Sequence, residues 1–131
     1  FEERFMHCYI IETDAITSEM IKYMNNVFFA CKVSIMNEMK LVCDAVGANW
    51  KQGLKGFAAD QRIGDSHLNV PGPDGKLGFG GSCFPKDINA FISFAEDLGL
   101  NVNVIKAAWE TNLEVRPERD WEGLKGRAVI E

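Results

Sequence analysis

From Thr17 to Val46 apolar side chains fall at positions 20, 24, 27, 28, 31, 35, 39, 42, 43 and 46, a stripe with a period near 3.6. This is the pattern of one long helix. Thr17 reads as its N-cap with Glu19 in the first turn, and Gly47 reads as the residue that stops it. At the rise of an α-helix such an element runs about 45 Å, more than a domain of 131 residues needs for its own core. Phe28, Phe29, Val33, Ile35, Met36 and Met39 add apolar positions beyond a single stripe. The helix is therefore expected to be covered on more than one side, and a symmetric dimer built along it is the natural cover.

The rest of the chain divides around a loop. A short helix is expected from Trp50 to Ala59. The stretch from Asp60 to Phe84 then carries six glycines and two prolines, including the turn Pro71-Gly72-Pro73-Asp74-Gly75. A connection of about 25 residues is well beyond the usual length and points to function or disorder. Two more helices follow. Pro85 to Leu98 shows Ile88, Phe91, Ile92, Ala95 and Leu98 on one face and stops at Gly99, and Val102 to Arg116 ends before Pro117. Cys8-Tyr9-Ile10-Ile11 and the run Leu124 to Glu131 have the character of short β stubs at the two ends. The fold class is mainly α: a helical domain on one long helix with a long Gly/Pro-rich loop.

Composition excludes several functions. A net charge of −5 speaks against a nucleic-acid partner, and no apolar run is long enough to span a membrane. Four cysteines and two histidines lack the spacings of a metal site. Cys31 and Cys43, inside the helical pattern, are expected to be small core residues, and free thiols without a signal peptide point to a reducing cytoplasm.

The chemistry concentrates at Gly78-Phe79-Gly80-Gly81-Ser82-Cys83-Phe84-Pro85-Lys86-Asp87. Three glycines in four positions allow unusual backbone angles and close approach of another molecule. Pro85 suits the first turn of a helix, and a helix N-terminus favours anions and lowers the pKa of a nearby thiol. Cys83 is thus either a reactive thiol or a packed residue of a capped turn. Asp87 is a candidate base for a water, or a helix cap. Lys22 and Asn26 lie one turn apart on one face of the long helix and suit an anion or developing oxyanion, unless that face is simply solvated. Arg62 opens the long loop as a candidate phosphate clamp. A Cys83–His67 pair is a weaker arrangement, because nothing orients the imidazole. The glycine run does not match G-x-G-x-x-G after a strand.

The ten residues at 78–87, together with Glu19-Met20-Ile21-Lys22-Tyr23-Met24-Asn25-Asn26, Asn37-Glu38 and Asp60-Gln61-Arg62-Ile63-Gly64, closely resemble the UDP-glucose/GDP-mannose dehydrogenase family of nucleotide-sugar dehydrogenases. The resemblance runs from about Asp14 to Arg116. It implies a central helical domain like the C-terminal domain of 6-phosphogluconate dehydrogenase at 14–116. Residues 1–13 would then be a remnant of an N-terminal NAD-binding domain, and 117–131 the start of a linker and a C-terminal nucleotide-binding domain. It further implies oxidation of UDP-glucose to UDP-glucuronate in two NAD-dependent steps, with NAD bound by a domain absent from this chain, so that the chain alone would be inactive. By resemblance Cys83 is the nucleophile that carries a thiohemiacetal and then a thioester, Lys22 and Asn26 stabilise the oxyanion, and Asp87 assists water and proton transfer. Lys86, Leu68 and the glycines 78, 80 and 81 would contact the nucleotide sugar, and Arg62 would reach substrate bound in the partner subunit of a homodimer. The segment Val70 to Leu77 is longer than in many members. The Cys-Phe-Pro-Lys-Asp motif favours UDP-glucose over N-acetylhexosamine substrates, while a GDP-mannose dehydrogenase domain and a helical homodimerisation module without its own activity stand as alternatives.

Overall fold

The computed structural model describes residues 9–124, and these form four α-helices and a final 3₁₀ turn around one irregular loop. Helix α1 spans Ala15–Ala45, α2 Trp50–Ala58, α3 Cys83–Asp97 and α4 Asn103–Val115, with the 3₁₀ turn at Asp120–Leu124. Tyr9, Ile10 and Ile11 carry no regular secondary structure and lie exposed, so no β stub forms there. The other residues of the two proposed stubs, Cys8 and 125–131, fall outside the described range.

Helix α1 begins two residues earlier than its apolar pattern predicts. The N-cap is Asp14, whose Oδ1 accepts the Thr17 N–H at 2.8 Å and whose Oδ2 accepts the Thr17 hydroxyl at 2.7 Å. Thr17 is therefore the partner of the cap, and a carboxylate at this end also meets the positive pole of the helix. The Thr17 backbone N–H, with its hydroxyl second, holds the Asp14 carboxyl below its ordinary pKa. The other end is as expected. Gly47 takes φ +74°, its N–H bonds to the Asp44 carbonyl and that of Ala48 to the Cys43 carbonyl, the paired bonds of a Schellman stop. Gly99 ends α3 the same way, at φ +73°.

The side of α1 that its own chain covers is not the apolar stripe. Val27, Ala30, Ser34 and Asn37 are buried at spacings of three and four, whereas Met24, Phe28, Ile35, Met39, Val42 and Val46 are exposed. Of the ten stripe positions only Val27 is buried. The cause is close approach: small side chains let neighbouring helices come near the α1 backbone, and Ser34 Oγ donates to the Ala108 carbonyl at 2.7 Å to lock one of them. Cys31 and Cys43 are half-buried rather than core residues, and burial pushes the Cys31 thiol pKa up.

Helices α3 and α4 both lie on this inner side. Tyr23 meets Phe91 and Asn26 meets Asp87, so α1 and α3 run antiparallel. Ser34 meets Ala108 and Glu38 accepts from Thr111 Oγ1 at 2.7 Å, so α1 and α4 run parallel. The core between the three helices centres on Ala30, Ile88 and the loop residue Phe79, with Val33, Phe84, Ile92, Ile105 and Trp109 packed around them. Truncating the fully buried Ile88 to Ala would cost about 2–5 kcal/mol. A second cluster of Met36, Leu68 and Val70 seats α2 through Trp50, Leu54 and Ala58. The chain stays packed beyond α4, where the buried ring of Trp121 meets Trp109 at 5.2 Å.

Candidate functional site

The loop between α2 and α3 has no sheet to pair with, so its backbone polar groups need other partners. Buried amides provide them. Asn112 on α4 accepts the Phe79 N–H at 2.7 Å and donates to the Phe79 carbonyl at 2.9 Å. Asn37 on α1 accepts the Gly78 N–H at 3.0 Å. Earlier in the loop, Lys32 Nζ donates to the carbonyls of Ile63 and Gly64 at 3.1 and 3.3 Å. Arg116, at the C-cap of α4 and only 2% exposed, completes the set. Its guanidinium donates to Leu77 O at 3.2 Å, to Asp74 at 2.6 Å and to both oxygens of Asp120 at 2.7 and 3.0 Å. Both carboxyls hold the Arg116 pKa above its ordinary value, Asp120 more than Asp74.

These contacts explain the glycines. A Cβ on Gly80 would collide with the Arg116 guanidinium and stand 2.5 Å from Asp120 Oδ1. Gly81 has open space around it but sits at φ +70°, which L side chains adopt at a cost. The glycine run is thus pressed onto α4 and then turned into α3.

Cys83 is the first residue of α3, two residues before the start its pattern predicts, and its side chain is exposed. The Ser82 N-cap makes no side-chain cap bond, and its Oγ lies 3.8 Å from the thiol sulfur. One turn on, Asp87 is buried and bonded to α1: Asn26 Nδ2 donates to its Oδ2 at 2.5 Å. Its Oδ1 lies 3.6 Å from Lys86 Nζ and makes no hydrogen bond among the described residues. Asp87 therefore does not cap a helix; it faces the long helix from the second turn of α3. Because α1 and α3 are antiparallel, Lys22 and Cys83 lie on opposite sides of the Asn26–Asp87 bond, each about one turn of ~5.4 Å away. Lys22 is exposed, with Nζ 5.7 Å from the centre of the Tyr23 ring.

Other candidates lie further out. Arg62 turns back on Asp60, which it meets at 2.6 Å, and is 89% exposed. The Leu68 side chain is in the second core cluster. His67, at φ +61°, stacks on Phe29 at 4.2 Å and meets Phe84 at 5.5 Å. Burial against these rings, with the charge of Lys32, lowers its pKa. Its ring is engaged with two aromatics, so the Cys83–His67 pairing has no support in the geometry. A cleft of about 500 Å³ opens beside the loop, walled by Gly78, Gly80, Gly81, His67, Asn69 and Asp74 among others. The roles of Asn112, Arg116 and Asp120 had one trace in the sequence. Asn112 and Arg116 are polar, four apart, on the side of α4 that also carries Ala108.

A thiol thus stands at a helix start, one turn from a buried carboxylate and the amide bonded to it. The comparisons name the class. The model of the UDP-glucose/GDP-mannose dehydrogenase family, central domain, matches residues 16–114. The UDP-glucose 6-dehydrogenase of Rickettsia conorii is 45% identical over 102 residues, covering 78% of this chain and 22% of the relative. The UDP-glucose 6-dehydrogenase TuaD of Bacillus subtilis is 39% identical over 110 residues, covering 84% and 23%. Among solved structures, a UDP-glucose dehydrogenase from the hyperthermophilic archaeon Pyrobaculum islandicum superposes with a TM-score of 0.68 at 40% identity, over 75% of this chain and 22% of that one. The chain belongs to the UDP-glucose/GDP-mannose dehydrogenase family and carries its central domain. It spans little more than a fifth of the length of the curated relatives it matches.

Proposed function

We propose that this domain supplies the covalent half of the two-step oxidation of a UDP-sugar, UDP-glucose to UDP-glucuronate, with Cys83 as nucleophile. The observation that carries the reading is the thiol on the first residue of α3, one turn from an Asp87 that is buried and held by Asn26. Among the described residues there is no strand, and the loop glycines face Asn112 and Arg116, so these residues do not fit a dinucleotide. NAD would bind outside them, in the domain of which 1–13 is the remnant, with 117–131 leading to a third domain; when bound it accepts the hydrides.

Cys83 adds through sulfur to the aldehyde carbon, and the carbonyl oxygen becomes the thiohemiacetal oxyanion. Lys22 and Asn26 donate to that oxygen, Lys22 by extending back along α1 past Asn26. A donor of this kind contributes about 3–4 kcal/mol. When the carbon stands at the acid level as a thioester, a water adds, its proton passes to Asp87, and the sulfur leaves as thiolate. Lys86 faces the sugar, the glycine loop and the backbone of Leu68 cradle the nucleotide, and Arg62 extends to the substrate of a partner subunit.

The test is Cys83→Ser in a polypeptide that joins this chain to a nicotinamide-binding domain. Turnover to the acid should fall by about a thousandfold or more, and retention of both oxidations at the normal rate would overturn the assignment. GDP-mannose replacing UDP-glucose as the better substrate would assign the domain to the other branch of the family. The exposed stripe on α1 supports a second role, homodimerisation along that helix in the cytoplasm, with or without catalysis. Sedimentation should give twice the monomer mass, and a monomer at about 100 µM would exclude any dimer with a Kd well below that.

A further inference from the structure

We propose that Arg116 is a positioning residue for Cys83, fixing from α4 the place where the glycine loop delivers the thiol to α3. The inference builds on the reading of Cys83 as the nucleophile and adds what holds it.

Every step of the link is a hydrogen bond. Arg116 is buried at the end of α4, where its one planar fork joins Leu77 O, Asp74 and Asp120. Asp120 in turn receives the Gly81 N–H at 3.4 Å, two residues before the thiol. Asp74 belongs to the turn that walls the cleft, closed by the Gly72 N–H on Lys76 O at 2.8 Å. The guanidinium also fills the space a side chain on Gly80 would need. One residue therefore ties down the segment before the glycines, the glycines themselves and the turn opposite.

Lysine cannot replace it. A single ammonium lacks the fixed geometry that serves two carboxylates and a carbonyl together. With Arg116 removed, Asp74 and Asp120 are left as two neighbouring carboxylates without their shared cation, and the loop lifts from α4. The helices need not move, because Asn37 and Asn112 still hold Gly78 and Phe79.

The experiment is site-resolved iodoacetamide labelling of the protein, read by mass spectrometry, with the half-buried Cys31 and Cys43 as internal references for the helical body. Arg116→Met should change the labelling rate of the already exposed Cys83 about fivefold while the two references stay within about twofold. Arg116→Lys should remain closer to Met than to the native residue. Asp120→Asn, on a partly exposed side chain, should change the Cys83 labelling rate in the same direction by about twofold to threefold. Unchanged Cys83 labelling in Asp120→Asn, equal changes at Cys31 and Cys43 in that variant, or full rescue by Lys would each overturn the proposal. If Arg116→Met does not fold, Asp120→Asn decides alone. The labelling does not involve substrate, so failure of the dehydrogenase reading leaves this result intact, and the reverse also holds.

Discussion

Asn26 and Asp87 join the long helix to the helix that carries the thiol, through one hydrogen bond of 2.5 Å to one carboxylate oxygen. The other oxygen is buried beside Lys86 and unbonded among the described residues. A half-satisfied buried carboxylate is a poor stabiliser, since its desolvation is offset only in part. Asp87→Asn is therefore expected to leave the melting temperature within about 3 °C of the native value. Turnover should drop by about 10²–10⁴ if Asp87 moves a proton in the reaction. A large fall in melting temperature with near-normal turnover would make Asp87 a structural group.

Gly80 and Gly81 are neighbours that resist substitution for different reasons. Alanine at Gly80 must displace the Arg116–Asp120 pair, whereas alanine at Gly81 meets nothing and is disfavoured only by φ +70°. Gly81→Ala should cost about 1–2 kcal/mol. Gly80→Ala should cost more, about 2–3 kcal/mol or above. Denaturant titration of the two variants measures both. The reverse order would mean that the guanidinium moves aside easily.

The Arg116 network also sets an acid limit. Arg116 holds the carboxyls of Asp74 and Asp120 below their ordinary pKa in the folded chain. With the folded values depressed, the unfolded chain binds more protons in acid. The contribution is complete above the unfolded pKa of about 4, and it is lost as pH falls from there through the folded values. The native protein should lose stability across that window. Arg116→Met should be less stable at neutral pH and show a shallower acid slope, measured by urea midpoints from pH 6 to pH 2.5. Parallel slopes would show that the two carboxyls do not depend on Arg116.

The outer face of α1 gives the fourth test. Phe28 and Val42 are each more than 60% exposed on the same stripe. For the dimer proposed along this face, glutamate at both positions should halve the mass seen by light scattering, by placing charge in the interface core, and should leave the circular dichroism of the monomer unchanged. An unaltered dimer would move the interface elsewhere.

Much of this was legible in the chain. Gly47 and Gly99 announced the helix ends, and Pro85 placed the start of α3 within two residues of where it lies. The glycine-rich stretch announced a loop too long to be a simple connection. Which side of α1 faces inward was not legible, because apolarity along a helix does not say whose atoms cover it. Ala30, Ser34 and Asn37 look unremarkable in a list of residues, yet with Val27 and Met36 they form the inner side, where small or bonding groups let the neighbours approach. Arg116 was hidden for the opposite reason. Arginine is among the residues least often fully buried, and nothing near it in sequence reveals that Asp74, 42 positions away, is its partner. Asp14 displaced Thr17 as the cap because both can fill that position, and only the bond between them shows which one does.

Helix α1 also limits how this protein can change. Asn26 faces the thiol-bearing helix and Phe28, two residues on, faces away from it; Asn37 grips the glycine loop and Met39 again faces away. The inner positions hold Val27, Ala30, Ser34, Met36 and Asn37, while much of the apolar stripe on the outer side stays exposed. On the reading proposed above, any change to the pocket through α1 falls within half a turn of the self-association face, so the two would be retuned together.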